Sequence, residues 1–301
     1  MSEVLVVGSL AYDSIATPVG RVQRTLGGSA NYFSLASSLF TQVRVVGVVG
    51  EDYEGQDRQL LEERNVDLSG LRTVAGKTFH WAGEYREDMN EAITLATELN
   101  VFENFEPAIP EHFRNSSYVF LANIDPDLQL RVLEQVNRPK LVGADTMNFW
   151  IQSKVDRLKD VLARVDVLLI NEGEAKLLSQ KANAIAAAKV LIDLGPKAVV
   201  VKRGEYGFVL YTEDGYFILP AFPVAEVVDP TGAGDTFAGG FFGYLAKTNS
   251  SYTVRHLKEA CVYGCLLASM TVEGFGVTAL SKVDGQSIQA RLKKYMEVIS
   301  Y

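Results

Sequence analysis

At 301 residues, 48% hydrophobic and 22% charged, the chain has room for one large α/β domain with an appendage, and for a core that needs no disulfide or structural metal. A net charge of −8 with no offsetting basic cluster excludes a nucleic-acid binder, although local backbone N–H groups can still hold phosphate. The only cysteines, Cys261 and Cys265, lie four apart on one helix face with no third thiol to complete a metal site, and they read as buried side chains of a reducing compartment.

Taken in chain order, Val4–Val7 opens as a buried strand, with Glu3 before it and too short an apolar run for a signal peptide. No stretch is long enough to span a bilayer, so a cytoplasmic protein with no membrane partner is expected. A helix over Ala30–Phe40, a strand over Val43–Val49 and a helix over Gly55–Asn65 follow. From about Leu71 to Phe102 the rhythm breaks into strand-like Thr78–Tyr85 and Ile93–Leu99, with Phe79, Trp81 and Gly83 on one face. Such an inserted sheet is a lid over a cleft, a dimerisation surface or an edge extension of the main sheet.

Strands then recur at Tyr118–Leu121, Leu141–Ala144, Val167–Ile170 and Ala198–Val201, alternating with helices at Pro126–Asn137, Ile151–Ala163, Glu172–Leu178 and Ala182–Leu194. This alternation predicts a largely parallel sheet covered on both faces. Gly207–Tyr211 and Tyr216–Leu219 read as a hairpin about Asp214-Gly215. Helices over Asp235–Leu245, Val254–Met270 and Ser287–Ile299 complete the chain.

The strongest motif runs from Asp229 through Pro230, Thr231, Gly232, Ala233, Gly234 and Asp235 to Phe237, directly before an apolar helix. Glycines at a helix entrance let the backbone approach a ligand and aim free N–H groups at it, and the helix dipole favours phosphoryl oxygens there. Taken alone, Asp235 would read as an ordinary N-cap. No Gly-x-x-x-x-Gly-Lys-[Ser/Thr] loop, His-Glu-x-x-His or Gly-x-Ser-x-Gly occurs, which excludes the chemistries those motifs carry.

DPTGAGDTFAGGF resembles the C-terminal signature of the ribokinase-like (PfkB) carbohydrate kinases. The resemblance implies a three-layer α/β/α fold with a central mostly parallel sheet and a small β-sheet lid. Residues 1–12, 27–70 and 103–301 would form the core with the ATP site, and 13–26 and 71–102 the lid. Asp235 would be the catalytic base, with an anion hole from the amides of Gly232, Ala233 and Gly234. Such a carboxylate at a helix N-terminus is expected to keep a low pKa.

Other segments are similar to family motifs in order along the chain. Gly8-Ser9 with Asp13, and Gly27-Gly28-Ser29-Ala30, resemble the sugar-binding segments, with Asn31 nearby. Asn171 and Glu174 resemble the Asn-x-x-Glu motif, whose Glu organises Mg²⁺ through water; unaided, they read as a helix cap and a first-turn charge. Lys202, Gly204 and Gly207 resemble an ATP-contacting turn. Asp229 and Thr231 match positions that hold a monovalent cation such as K⁺ in some members. Asn123 and Asp125 are candidate contacts to substrate hydroxyls.

The match departs in two places. Many members carry Asn five residues after the first Gly of the pair, where this chain has Tyr32. Asp145-Thr146-Met147-Asn148-Phe149-Trp150 lacks the Arg of a related stretch, which disfavours an acidic sugar. The expected function is ATP-dependent phosphorylation of a primary hydroxyl on a sugar or sugar derivative. A nucleoside kinase is the enzymatic alternative, since the lid aromatics Phe79, Trp81 and Tyr85 can pack on a flat base, although such side chains are more often the lid's own packing. A catalytically silent sensor is the alternative of another class. The resemblance also implies a homodimer through the lid.

Overall fold

The computed structural model describes residues 2–90, 92–250 and 253–300. Thirteen strands form two sheets among the described residues. The large one takes β1 (Val4–Val7), β4 (Val43–Val49), β5 (Val66–Thr73), β8 (Tyr118–Leu121), β9 (Leu141–Ala144), β10 (Val167–Asn171), β11 (Ala198–Lys202), β12 (Phe208–Thr212) and β13 (Gly215–Leu219). Its order is β13-β12-β11-β10-β9-β8-β1-β4-β5. Every pairing is parallel except those of the terminal hairpin, β11 with β12 and β12 with β13.

Strands buried on both faces need apolar residues at every position, and alternation sorts them between two cores. Val4 and Val6 join a cluster with Phe33 of α1 (Ser29–Ser37), Phe241 of α8 (Ala233–Lys247) and Leu267 of α9 (Val254–Thr271). Leu5 and Val7 enter the opposite cluster, with Leu130 of α3 (Pro126–Leu133), Leu158 of α5 (Val155–Leu162) and Leu191 of α7 (Ala184–Ile192). The layers are therefore helix, sheet, helix. After β1 the chain builds outward through β4 and β5, then returns to β8 on β1's other side. That reversal opens a crevice at the strands' carboxyl ends, the usual ligand position in such sheets.

The second sheet has order β3-β2-β6-β7, from β2 (Ala11–Thr17), β3 (Gly20–Gly27), β6 (Phe79–Tyr85) and β7 (Ala92–Glu98). Two boundaries differ from expectation. β5 extends the large sheet to Thr73, so a division at residue 71 cuts through one of its strands. The helix expected over Ile151–Ala163 is two, α4 (Asn148–Ser153) and α5, broken at Lys154. There φ/ψ of −137°/37° leave the helical region, while the ammonium reaches Asp125 at 2.8 Å and Asp127 at 2.6 Å. No helix among the described residues is long and apolar enough to cross a membrane.

Candidate active site

Five strand ends deliver polar residues to the crevice. After β1, Gly8-Ser9 is clasped to the start of α1: Ser29 N–H donates to Ser9 Oγ (3.1 Å) and Ser9 N–H to Ser29 Oγ (3.2 Å). Asn123 follows β8, Asp145 follows β9, Asn171 ends β10 and Lys202 ends β11.

Asp13, on β2, is 4% exposed. Its carboxylate lies so close to Gly27 that a Cβ there would sit 1.9 Å from Oδ2, so only glycine fits. Burial, reinforced by Asp229 and opposed by the Gly28 N–H, pushes the Asp13 pKa up to about 8. At neutral pH it carries a proton and can donate to a substrate oxygen as well as accept.

Asn31, expected at the substrate, faces inward instead. It is 0% exposed, its Nδ2 donates to Gly27 O (2.6 Å), and its Oδ1 accepts from Tyr53 OH (3.3 Å). One residue of rotation on a helix turns a side chain by about 100°, and Asn31 braces the glycine turn rather than lining the crevice. Asn123 Oδ1 accepts from Trp150 Nε1 (3.1 Å), and Asp125 caps α3 while pairing with Lys154. Both are thus occupied by structural partners.

The loop before α8 is built around Asp229, which is fully buried. Its Oδ1 accepts from Thr231 N–H (2.9 Å) and its Oδ2 from Gly276 N–H (2.9 Å). Both carboxylate oxygens are thus engaged by backbone amides, one of the loop itself and one of the segment after α9. Gly232 caps α8 with φ 75°, a left-handed value natural to glycine, and the Tyr32 ring lies against it: a Cβ at Gly232 would approach three ring atoms to 2.4 Å.

Asp235 sits in the first turn of α8, not at its cap, and its carboxylate accepts no hydrogen bond among the described residues. The N–H groups of Gly232, Gly234 and Asp235 likewise have no acceptor there, whereas Ala233 N–H is spent on Pro230 O (3.2 Å). Of the three amides expected to form an anion hole, those of Gly232 and Gly234 are thus free among the described residues and that of Ala233 is not. The low pKa expected of Asp235 is corrected: burial, with Asp145 adding to it and Lys202 opposing, pushes it up to about 7. Desolvation of a half-buried carboxylate outweighs one helix terminus.

Lys202 is the cation of the crevice. Its Nζ meets Asp145 Oδ2 at 2.9 Å and lies where a Cβ on Gly234 would touch it at 2.9 Å, placing positive charge beside the open amides. Burial works against that charge, but Asp145 and Glu174 outweigh it and hold its pKa above the usual lysine value. Glu174, buried and with its pKa raised by that burial, completes a capping box: Asn171 Oδ1 accepts from its N–H (2.8 Å) and its Oε2 accepts from Asn171 N–H (3.0 Å). The cap reading of this pair therefore holds, and the other carboxylate oxygen of Glu174 accepts no hydrogen bond among the described residues. Among the described residues no group of three or more His, Cys, Asp or Glu is placed to hold a metal. A hydrated Mg²⁺ needs few protein ligands.

Beyond β11 the chain makes a tight turn, Arg203 N–H to Gly207 O (2.8 Å), with Gly204 and Gly207 at positive φ.

The second sheet closes over this crevice. Thr17 Oγ1 donates to Val228 O (3.0 Å), and Thr231 Oγ1 donates to Tyr85 OH (3.1 Å). In the parallel β2–β6 ladder Asp13 is opposite Trp81, so both project from the same face. The half-buried Trp81 indole covers Gly83 and its Nε1 donates to Thr94 Oγ1 (3.3 Å). Phe79 is packing, stacked on Phe102 at 5.6 Å. Sequence reasoning gave no role to Asp145, although its position directly after a strand, like that of Asn171 and Lys202, was a usable signal. Nothing in the local sequence around Thr17 or Tyr85 announces a contact with the loop.

Residues 1–283 match the profile of the pfkB family carbohydrate kinases. A cytidine kinase of Thermococcus kodakarensis is 32% identical over 253 residues, covering 81% of this chain and 89% of the relative. A nucleoside kinase of Methanothermobacter thermautotrophicus is 27% identical, covering 95% and 94%. Among solved structures, aminoimidazole riboside kinase from Salmonella enterica, complexed with aminoimidazole riboside and an ATP analog, superposes with a TM-score of 0.75 at 22% identity, covering 96% and 99%.

Proposed function

The chain belongs to the pfkB family of carbohydrate kinases, phosphotransferases with an alcohol acceptor, and from that premise we propose that it phosphorylates the primary ribose hydroxyl of a nucleoside. ATP and Mg²⁺ are typical of the family. When bound they supply the phosphoryl group and the charge that neutralises it. The chain's own residues do the rest. Asp235, without an internal partner, accepts the proton of the attacking hydroxyl, and a base poised near pH 7 suits that task. The free amides of Gly232 and Gly234 receive phosphoryl oxygens, with the Lys202 ammonium behind them. Asp13 orients the acceptor by its hydroxyls, and the lid excludes water.

The observation that favours a nucleoside over the free sugar first expected is Trp81, an aromatic face on the side of the lid that carries Asp13. The cytidine and nucleoside kinases among the relatives support the same reading. Membership of a family of phosphotransferases supports turnover over a silent sensor. ADP release measured against a panel of nucleosides, free sugars and sugar phosphates tests the proposal. Turnover on nucleosides and its loss in Trp81→Ala are expected; turnover confined to free sugars returns the acceptor to the sugar class. The reading includes a homodimer through the lid, which Leu95, 60% exposed on the edge strand β7, supports.

A further inference from the structure

Four tyrosines gather about the crevice, and three have hydroxyl partners. Tyr12 OH donates to Asp57 (2.6 Å), Tyr53 OH to Asn31 (3.3 Å), and Tyr85 OH accepts from Thr231 (3.1 Å). Tyr32 is the exception. It is 1% exposed and its hydroxyl has no hydrogen-bond partner among the described residues. A buried hydroxyl left unpaired forfeits the hydrogen bonds water gave it and is costly to keep. The oxygen is surrounded by the site's own polar groups: Asp13 acts on it most strongly after burial itself, then Asp229, Tyr85 and Asp235. Its ring lies against Gly232, in the loop before α8.

We propose that Tyr32 is a specificity-determining residue of the acceptor site, its phenol O–H donating to a hydroxyl oxygen of the acceptor other than the one phosphorylated. The proposal rests on the functional reading above and deepens it. None of the surrounding carboxylates lies at hydrogen-bond distance, so the missing acceptor is an oxygen brought in by substrate. Asp13, itself buried, is the carboxyl that acts most strongly on this phenol. An acceptor hydroxyl seated there pairs the phenol, and a ligand lacking it leaves the phenol unpaired. Such unpairing is how polar pockets discriminate between near-identical substrates. Asn31, next in sequence, cannot serve because both ends of its amide are tied down.

Tyr32→Phe keeps the ring against Gly232 and removes only the donor. Wild type is first assayed on the nucleoside, sugar and sugar-phosphate panel, and the variant is compared on whichever alcohol wild type phosphorylates. The variant is expected to raise KM for that acceptor about 10-fold or more, to leave KM for ATP within about twofold, and to melt no lower than wild type in the absence of ligand. Acceptor analogues each lacking one hydroxyl complete the cycle: one of them should be used equally by both proteins. An unchanged acceptor KM with a raised melting temperature overturns the proposal, showing a merely internal hydroxyl. Equal discrimination by the two proteins against every analogue also overturns it. Wild-type activity on sugars alone would overturn the nucleoside reading and leave this test intact.

Discussion

Asp235 and Lys202 show how much the chemistry depends on groups held out of water. Replacing Asp235 by Asn should lower kcat by about 10²–10⁴-fold, the range lost with a general base, as measured by ADP release. Its pKa, raised from 3.8 to about 7, also links it to stability. The folded state binds this proton more tightly than the unfolded chain, so stability is lost as pH rises from about 4 through 7 and changes no further above that. Asp235→Asn should therefore melt higher than wild type at pH 8, by more than it does at pH 5. Lys202→Met should do the reverse. Asp145, 5% exposed, would lose its ammonium partner, and breaking a buried pair costs roughly 3–5 kcal/mol. Circular-dichroism melting of both variants checks the two signs. The role proposed for Asp235 came from the sequence, where it sits within a specialised nine-residue stretch, Asp229 to Phe237. Its pKa was not legible there, since desolvation comes from neighbours such as Asp145 that lie far away along the chain.

Among the elements, the buried strands were the most legible. Val4–Val7 and Ala198–Lys202 are unbroken apolar runs, a pattern that few other structures produce. Strands β2 and β3 carry no such run: Thr17, Arg21, Gln23 and Arg24 face solvent or the core's polar rim, and only resemblance placed them in a lid. The break at Lys154 was hidden for another reason. Lysine is a good helix former, and the partners that hold it at the break, Asp125 and Asp127 at the start of α3, lie far back along the chain. The lid's hold on the phosphate loop is equally non-local. Tyr85→Phe removes the acceptor of the Thr231 hydroxyl and should raise acceptor KM about 2- to 10-fold, in line with roughly 0.5–1.5 kcal/mol for one hydrogen bond. Faster amide exchange in residues 79–85 should accompany it.

At the scale of the whole molecule, a net charge of −8 surrounds a crevice that already holds Asp13, Asp145, Glu174, Asp229 and Asp235. Even with Asp13 protonated, one lysine does not balance the remaining carboxyls and a triphosphate. Turnover should therefore vanish when EDTA removes divalent cations and return on adding Mg²⁺; full activity in EDTA would contradict the arrangement drawn here.

The cover of the crevice is stitched from two distant stretches, Ala11 lying beside Phe79 in parallel alignment. A hairpin can form by itself, but this seam cannot, because everything between its two edges must first be drawn into place. The cover thus has to mature late, after β4, α2 (Gly55–Glu63) and β5 have set. A chain caught refolding should acquire protected amides in β1 and β4 before any appear in β2 or β6.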